Sequence, residues 1–303
     1  MRFKTTHFSA SALLLALVTF SVSPVSADSG TTLTHVHGLS FSKDGKQLMV
    51  PSHHGLAIYQ DGKWSKAAGP QHDYMGFAAT RDALYSSGHP SPDSGLTNPF
   101  GLIKSRDGGK TWLKLGLDGE SDFHTLATSY GTNAVYVVNH QRNSRMESAG
   151  IYHTRSDGLK WQRAEAKGLD PKITSLAVHP TDAATVAAGT DKGIYLSRDS
   201  GGNFDRLVGG PQVLAATFDL DGEHLWFSSY GKTPSLSKVA LKPGAKPVEV
   251  KLPPLKKDAV AYIAQNPARP DELAIATFKR SVYLRKGDSG AWKQVAIEGA
   301  TRE

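Results

Sequence analysis

The sequence predicts an all-β chain built from repeated four-stranded antiparallel units, and three observations carry that prediction. A glycine-to-aromatic segment recurs: GLIKSRDGGKTW ends at Trp112, GIYHTRSDGLKW at Trp161 and GIYLSRDSGGNF at Phe204. Between the copies lie short alternating stretches such as Ile173 to Val178, each followed by a turn rich in Pro, Asp or Gly. Helical periodicity is absent beyond the N-terminal apolar run. Four short strands repeated every 40–50 residues describe a propeller blade, so the expected architecture is a six-bladed β-propeller.

The repeat anchors justify the blade count. A shortened copy ends at Trp64 and a degraded one at Trp292, so the anchors are spaced by 48, 49, 43 and 88 residues, the last being two periods. The missing fifth copy, around Ser235 to Gly244, keeps its strand but has lost the turn motif. Six units fit the length, and the eroded fifth unit leaves seven blades as the alternative.

The N-terminus reads as an export signal. Arg2 and Lys4 precede an apolar run from Ala10 to Val22, and Val25-Ser26-Ala27 supplies a small-residue cleavage site. Cleavage is expected after Ala27, giving a signal peptide at 1–27 and one propeller domain at 28–303. The run is shorter than the roughly 20 residues of a membrane span. A periplasmic or secreted protein is therefore expected, with no integral membrane segment after cleavage. The chain has no Cys, so neither disulfides nor a lipoprotein anchor is available. The net charge of +7 is spread thinly and forms no basic run with interleaved aromatics, which argues against nucleic acid as a partner.

The turn motif itself, Ser105-x-Asp107-x-Gly109-x-x-Trp112 and Ser197-x-Asp199-x-Gly201-x-x-Phe204, resembles the Asp-box or BNR repeat. The chain is thus similar to the sialidase- and sortilin-like propellers, and to exported bacterial proteins loosely labelled glycosyl hydrolases. The third copy keeps Thr154, Gly158 and Trp161 but puts Ser156 where the Asp belongs. The motif implies fold: the Asp accepts N–H groups within the turn, and the aromatic packs between blades. It implies little about function.

Aligning the units places chemistry-bearing residues on one face. The innermost strands are expected to begin at His37, Met75, His124, Thr174, Leu214 and Tyr262, at the mouth of the central channel. His35 lies two residues before His37, on the same side of the strand. Asp73 and Asp122 take the corresponding place in the next two units. The loop after the second strand carries His53, His89 and His140 in units one to three, then Asp191, Tyr230 and Phe278. His54 adjoins His53. Imidazoles gathered in a partly buried mouth repel one another when protonated, whereas a shared cation holds them neutral. His35, His37, His53, His54, Met75, His89, His124 and His140 are therefore the candidate metal ligands. A thioether in the set points to copper, Cu(I) in particular, with zinc as second choice.

Enzyme readings find less support. The resemblance to sialidases implies an arginine triad, yet no Arg stands at the aligned channel-mouth positions; Arg106, Arg155 and Arg198 lie in the boxes. A glycosidase needs two facing carboxylates, for which Asp73 and Asp122 are the weak catalytic candidates. Both flank histidines, so orienting a metal ligand suits them equally. The leading expectation is metal handling, delivery or sensing. The alternatives are a carbohydrate-active hydrolase acting on a glycan and a scaffold that docks a protein partner.

Overall fold

The computed structural model describes Met1, residues 31–287 and residues 290–301. The predicted export signal, Met1 apart, lies outside the described residues. Six antiparallel sheets succeed one another along the chain as blades 1 to 6, spanning residues 40–66, 73–116, 126–163, 173–209, 212–249 and 260–301. The expected six-bladed propeller of four-stranded blades is what forms. The eroded fifth unit is a complete blade, with strands Gln212–Phe218, His224–Tyr230, Pro234–Ala240 and Val248–Glu249. Blade 6 carries a fifth strand, Ala300–Thr301. Among the described residues the one helical segment is a 3-10 turn at Pro92–Ser94, and no helix is long and apolar enough to cross a membrane.

Burial follows position within the blade. The second strands Leu48–Ser52 and Val186–Thr190 are buried throughout, because both of their faces meet a neighbouring sheet. The outermost strand Lys63–Lys66 buries only Trp64. The innermost strands surround a central channel of about 730 Å³.

Each blade boundary is an apolar core, and the repeat aromatics fill them. Trp112 packs with Tyr74, Leu84 and Ile103 against Met49 and Leu56 between blades 1 and 2. Trp161 lies between blades 2 and 3 with Phe123 and Tyr85, and Phe204 between blades 3 and 4. Trp292 lies between blades 5 and 6. Between blades 4 and 5, where the repeat has lost its aromatic, Phe218 and Phe227 do the filling. Trp64 closes the ring: it packs with Leu33 and Val295, and its indole N–H donates to the Val295 carbonyl at 2.8 Å. The N-terminal segment completes the closure, since Thr32 bridges Ala300 and the Leu33 N–H donates to the Gly299 carbonyl at 2.8 Å.

The box turns form as their composition predicts. Asp107 accepts the Thr111 N–H at 2.9 Å and the Ser105 hydroxyl at 2.8 Å, while Ser105 Oγ accepts the Gly109 N–H at 2.8 Å. Asp199 repeats this with Asn203 and Ser197. Gly109 adopts a φ of 88°, a left-handed conformation in which a side chain is strained. In the third copy Ser156 stands in for the Asp and accepts the Lys160 N–H at 3.1 Å, while Asp157 in the same turn pairs with the buried Lys104 ammonium at 2.8 Å, joining blade 3 to blade 2.

Two predictions follow from this architecture. Trp64→Ala should cost about 3–5 kcal/mol in urea unfolding, whereas Leu159→Ala, at an exposed position, should stay within about 0.5 kcal/mol. Hydrogen bonds from Thr111 hold the Asp107 carboxyl at about 2, and those from Asn203 do the same for Asp199. The unfolded chain, with carboxyls near ~3.9, therefore binds more protons between those values. The stability these groups contribute is complete above pH ~4 and is lost as pH falls toward 2. The melting temperature should drop more steeply across that window in the wild type than in an Asp107→Asn/Asp199→Asn double variant; parallel curves would refute the assignment.

Candidate metal centre at the channel mouth

The histidine-rich face is built where three blades begin. In blade 1 the ladder between first and second strands runs only through Ser40–Met49 and Phe41–Leu48. Pro51 interrupts it. Its carbonyl accepts the His37 N–H at 3.2 Å, but it has no N–H to return. Residues 34–39 thus enter the channel mouth without regular pairing, and His35 and His37 project from that segment. Blade 3 enters in the same irregular way, with pairing starting at Leu126, after His124.

Blade 2 differs, and the difference corrects one expectation. Its first strand pairs from Asp73 onward, and a bulge between Met75 and Ala78 shifts the register. Gly76, at a φ of 49°, lies at this shift, and a Cβ there would collide with the Phe123 carbonyl of blade 3. The channel lining starts at Gly76, one residue later than the repeat alignment placed it. Met75 is buried with its Cγ over Gly88, off the channel mouth, and makes no described contact with an imidazole. A bulge of this kind has no signature in a gapless alignment.

His35, His37, His53 and Asp73 do come together. The His35 and His53 rings stack at 4.4 Å between centroids, and His37 meets His53 edge-on at 5.6 Å. His53 Nδ1 lies 2.6 Å from Asp73 Oδ2, and His37 Nε2 lies 3.5 Å from Asp73 Oδ1. His37, His53 and Asp73 each offer a donor atom, and these lie within 4.8 Å of one another. His37 Nε2 and Asp73 Oδ1 are buried and have no hydrogen-bond partner. Burial holds the His37 imidazole below its usual pKa, against the pull of the Asp73 carboxylate, and the neighbouring His53, His35 and His124 rings lower it further.

A second carboxylate stands one blade on. Asp122 Oδ2 lies 2.6 Å from His124 Nε2 and 3.2 Å from His89 Nε2. Burial pushes the Asp122 carboxyl up, but hydrogen bonding and charge from His124 and His89 outweigh it and hold it below the usual range. The Asp122 hydrogen bond raises the His124 imidazole, and the charges of Asp122 and Asp73 add to it. His124 thus responds to both carboxylates.

Besides Met75, two expected ligands stay outside this assembly. His54 turns to a small cavity lined by Thr32, Thr34 and Lys66, with its ring 6.3 Å from that of His53. His140 is exposed and has no described contact with the other rings. Its following loop is pinned instead by Met146, buried between blades 2 and 3, and by Glu120, whose carboxylate accepts from Ser144.

His72 is a residue the sequence reading passed over. It is buried, its ring lies 5.0 Å from that of Phe100, and its Nδ1 accepts the Ser91 N–H at 3.0 Å. It thereby ties down the long loop between Pro90 and Phe100. That loop returns Asn98, whose Oδ1 lies 2.7 Å from His89 Nδ1. The aromatic at Phe100 and the histidine two residues before Tyr74 were the available signals.

No protein-family model matches the sequence, and no curated protein matches it. Among solved structures the chain is similar to the GH74 enzyme of Niastella koreensis, with a TM-score of 0.58 and 14% identity over 88% of this chain and 47% of that one. It is also similar to the GH74 xyloglucanase of Xanthomonas campestris, with a TM-score of 0.55 and 16% identity over 88% of this chain and 46% of that one. A third similar structure, YCF48 bound to D1 peptide, has a TM-score of 0.50 and 16% identity over 87% of this chain and 82% of that one. The chain spans about half the length of the two GH74 proteins. Likeness at these identities establishes the β-propeller fold.

Burial also sets a pH dependence. It lowers the pKa of His72 and of His153, which stacks on Tyr136 at 4.9 Å. The unfolded chain, with imidazoles near ~6.5, then binds more protons than the fold at mildly acidic pH, so stability rises with pH through that window. The denaturant midpoint of the metal-free protein should rise more between pH 5 and pH 7.5 in the wild type than in a His72→Gln/His153→Gln variant, and equal rises would show both rings free to protonate in the fold.

Proposed function

We propose that this chain is an exported Asp-box propeller that binds a transition-metal ion at the channel mouth, for metal handling, delivery or sensing. The observation that carries the reading is the unsatisfied pair inside the His37–His53–Asp73 group. His37 Nε2 and Asp73 Oδ1 are both buried, lie 3.5 Å apart, and neither has a hydrogen-bond partner. A buried polar group without a partner costs about 1–3 kcal/mol, and a cation between them removes that cost twice over. The Asp73 contact at His53 Nδ1 fixes that ring's orientation, as carboxylates do behind metal-bound imidazoles. His35, stacked on His53, supplies a further nitrogen.

The donor set selects the ion. Imidazole and carboxylate together suit Cu(II) and Zn(II). With Met75 turned away, the thioether argument for Cu(I) lapses, and copper is proposed as Cu(II), with zinc the alternative. The test is elemental analysis of the purified protein after incubation with each metal and desalting. Retained metal at stoichiometric level, lost in a His37→Ala/His124→Ala double variant, is the expected result. A wild type that retains neither metal would overturn the reading.

Two other readings have an observation each. The likeness to GH74 proteins, together with the half-buried Asp73 and Asp122, supports a glycoside-hydrolase-like activity. Hydrolysis of a glycan such as xyloglucan, abolished by Asp122→Asn, would establish it. The likeness to a propeller holding a peptide supports a docking scaffold. Exposed Tyr230 and Phe278, on the loops corresponding to those of His89 and His53, are the side chains through which a protein partner would be held.

A further inference from the structure

The six blades do not present one chemistry at the channel-mouth face. In every blade that face is made by two elements, the approach to the first strand and the loop after the second. In blade 4 the Asp191 N–H ties them by donating to the Lys172 carbonyl at 3.1 Å, and in blade 6 the Phe278 N–H donates to the Ala259 carbonyl at 3.0 Å. In blade 5 Gln212 pairs with Tyr230. Where the loops of blades 1 to 3 carry His53, His89 and His140, those of blades 4 to 6 carry Asp191, Tyr230 and Phe278.

Charge divides along the same line. Lys172 and Lys192 in blade 4, Lys232 in blade 5, and Lys256, Lys257 and Lys279 in blade 6 are all exposed on these loops. Lys279 lies 3.8 Å from Glu298, and the other five have no ion-pair partner among the described residues. Two of the nearby carboxylates are turned to backbone. Asp191 accepts the Lys172 N–H at 3.1 Å, and Asp258 accepts those of Ala259 and Lys279 at 2.8 and 3.0 Å. Asp170 is the one other acidic residue of these loops. Blades 1 to 3 carry the opposite balance on this face, with Asp73 and Asp122 at the mouth and exposed Asp93 and Glu147 on the loops, against Arg142 and Arg145.

The basic half also holds the exposed aromatics. Tyr230 and Phe278, 46% and 61% exposed, are the only exposed aromatic side chains among the described residues; every other described Phe, Tyr and Trp is buried or half-buried. Two aromatic faces set among lysines have the make-up of a protein-binding patch. The rings supply anchors, and the lysines steer a partner of opposite charge and fix its register. A broad anionic surface fits less well. A bilayer laid across this face would meet the carboxylates of blades 1 to 3 as well as the lysines. A segment narrow enough to cross blades 4 to 6 alone meets only the basic half.

We propose that the channel-mouth face of blades 4 to 6 docks an acidic peptide segment of a partner protein, with apolar side chains of that segment seated on Tyr230 and Phe278. The inference rests on the docking reading above and is independent of the metal reading.

Fluorescence anisotropy tests it with a labelled peptide of Glu-Glu-Phe repeats, its Gln-Gln-Phe counterpart, and vesicles of phosphatidylglycerol. The proteins are the wild type, Lys232→Glu/Lys256→Glu, Tyr230→Ala/Phe278→Ala, and Lys110→Glu/Lys160→Glu, which makes the same charge change on the box turns at the far end of the blades. Thermal unfolding of each verifies that the fold is intact. The acidic peptide should bind the wild type saturably, more weakly as salt is raised, and about tenfold more weakly in each of the first two variants, with Lys110→Glu/Lys160→Glu unchanged. Equal binding of the acidic and neutral peptides would overturn the acidic partner while keeping the docking reading. An equal loss in Lys110→Glu/Lys160→Glu would reduce the binding to net charge and also overturn it. Binding to vesicles but to neither peptide, or no binding to any probe, would remove the docking reading as well.

Discussion

A four-stranded blade has two apolar faces and can bury neither by itself. Every other feature of this propeller depends on that constraint, because each sheet is stable only between two neighbours. Six apolar cores result, one per boundary, and the last forms only when blade 6 meets blade 1. Leu33, fully buried, and Trp64, bonded to Val295, lie at this junction. Without Cys, the closure rests on packing and on the hydrogen bonds between 31–33 and 299–301.

The boundaries that supply stability also space the candidate site. The end of a second strand in one blade and the start of the first strand in the next are separated by the thickness of one core. Where the first residue is a histidine and the second an aspartate, that thickness sets their approach. Blades 1, 2 and 3 use it twice, at His53–Asp73 and His89–Asp122. Carboxylates so placed are partly desolvated, and the rings around them supply the compensating donors or positive charge. The channel beneath is lined by small side chains such as Ala78, Ala127, Ala177 and Ala216, interspersed with the polar groups of Thr128, Thr174, Ser175, Thr217 and Gln265.

Irregular backbone is what lets these side chains converge. Pro51 ends the ladder of blade 1 early, and the bulge in blade 2 places Gly76 against blade 3. Both departures sit at the face that carries the histidines. The insertion between Pro90 and Phe100 adds a third, using a buried imidazole at His72 as an anchor so that an amide at Asn98 can reach His89.

The residues of this chain determined, by themselves, its repeat length, a count of six blades with seven as the alternative, and the grouping of histidines in the first three units. Those properties follow from local chemistry: turn geometry needs Ser, Asp and Gly at set offsets, and burial between sheets needs an aromatic at a set phase. The sequence also carried the pairing of each Asp with a channel-mouth position. Tertiary structure alone decided which histidines share a carboxylate, because that depends on spacing across a blade boundary rather than along the chain. It placed Met75 off the channel mouth, since a bulge displaces the register by one residue without leaving a mark in composition. It set His54 and His140 apart from the group, and it gave His72 its role, because side-chain direction at a strand end depends on what the neighbouring blade packs against it.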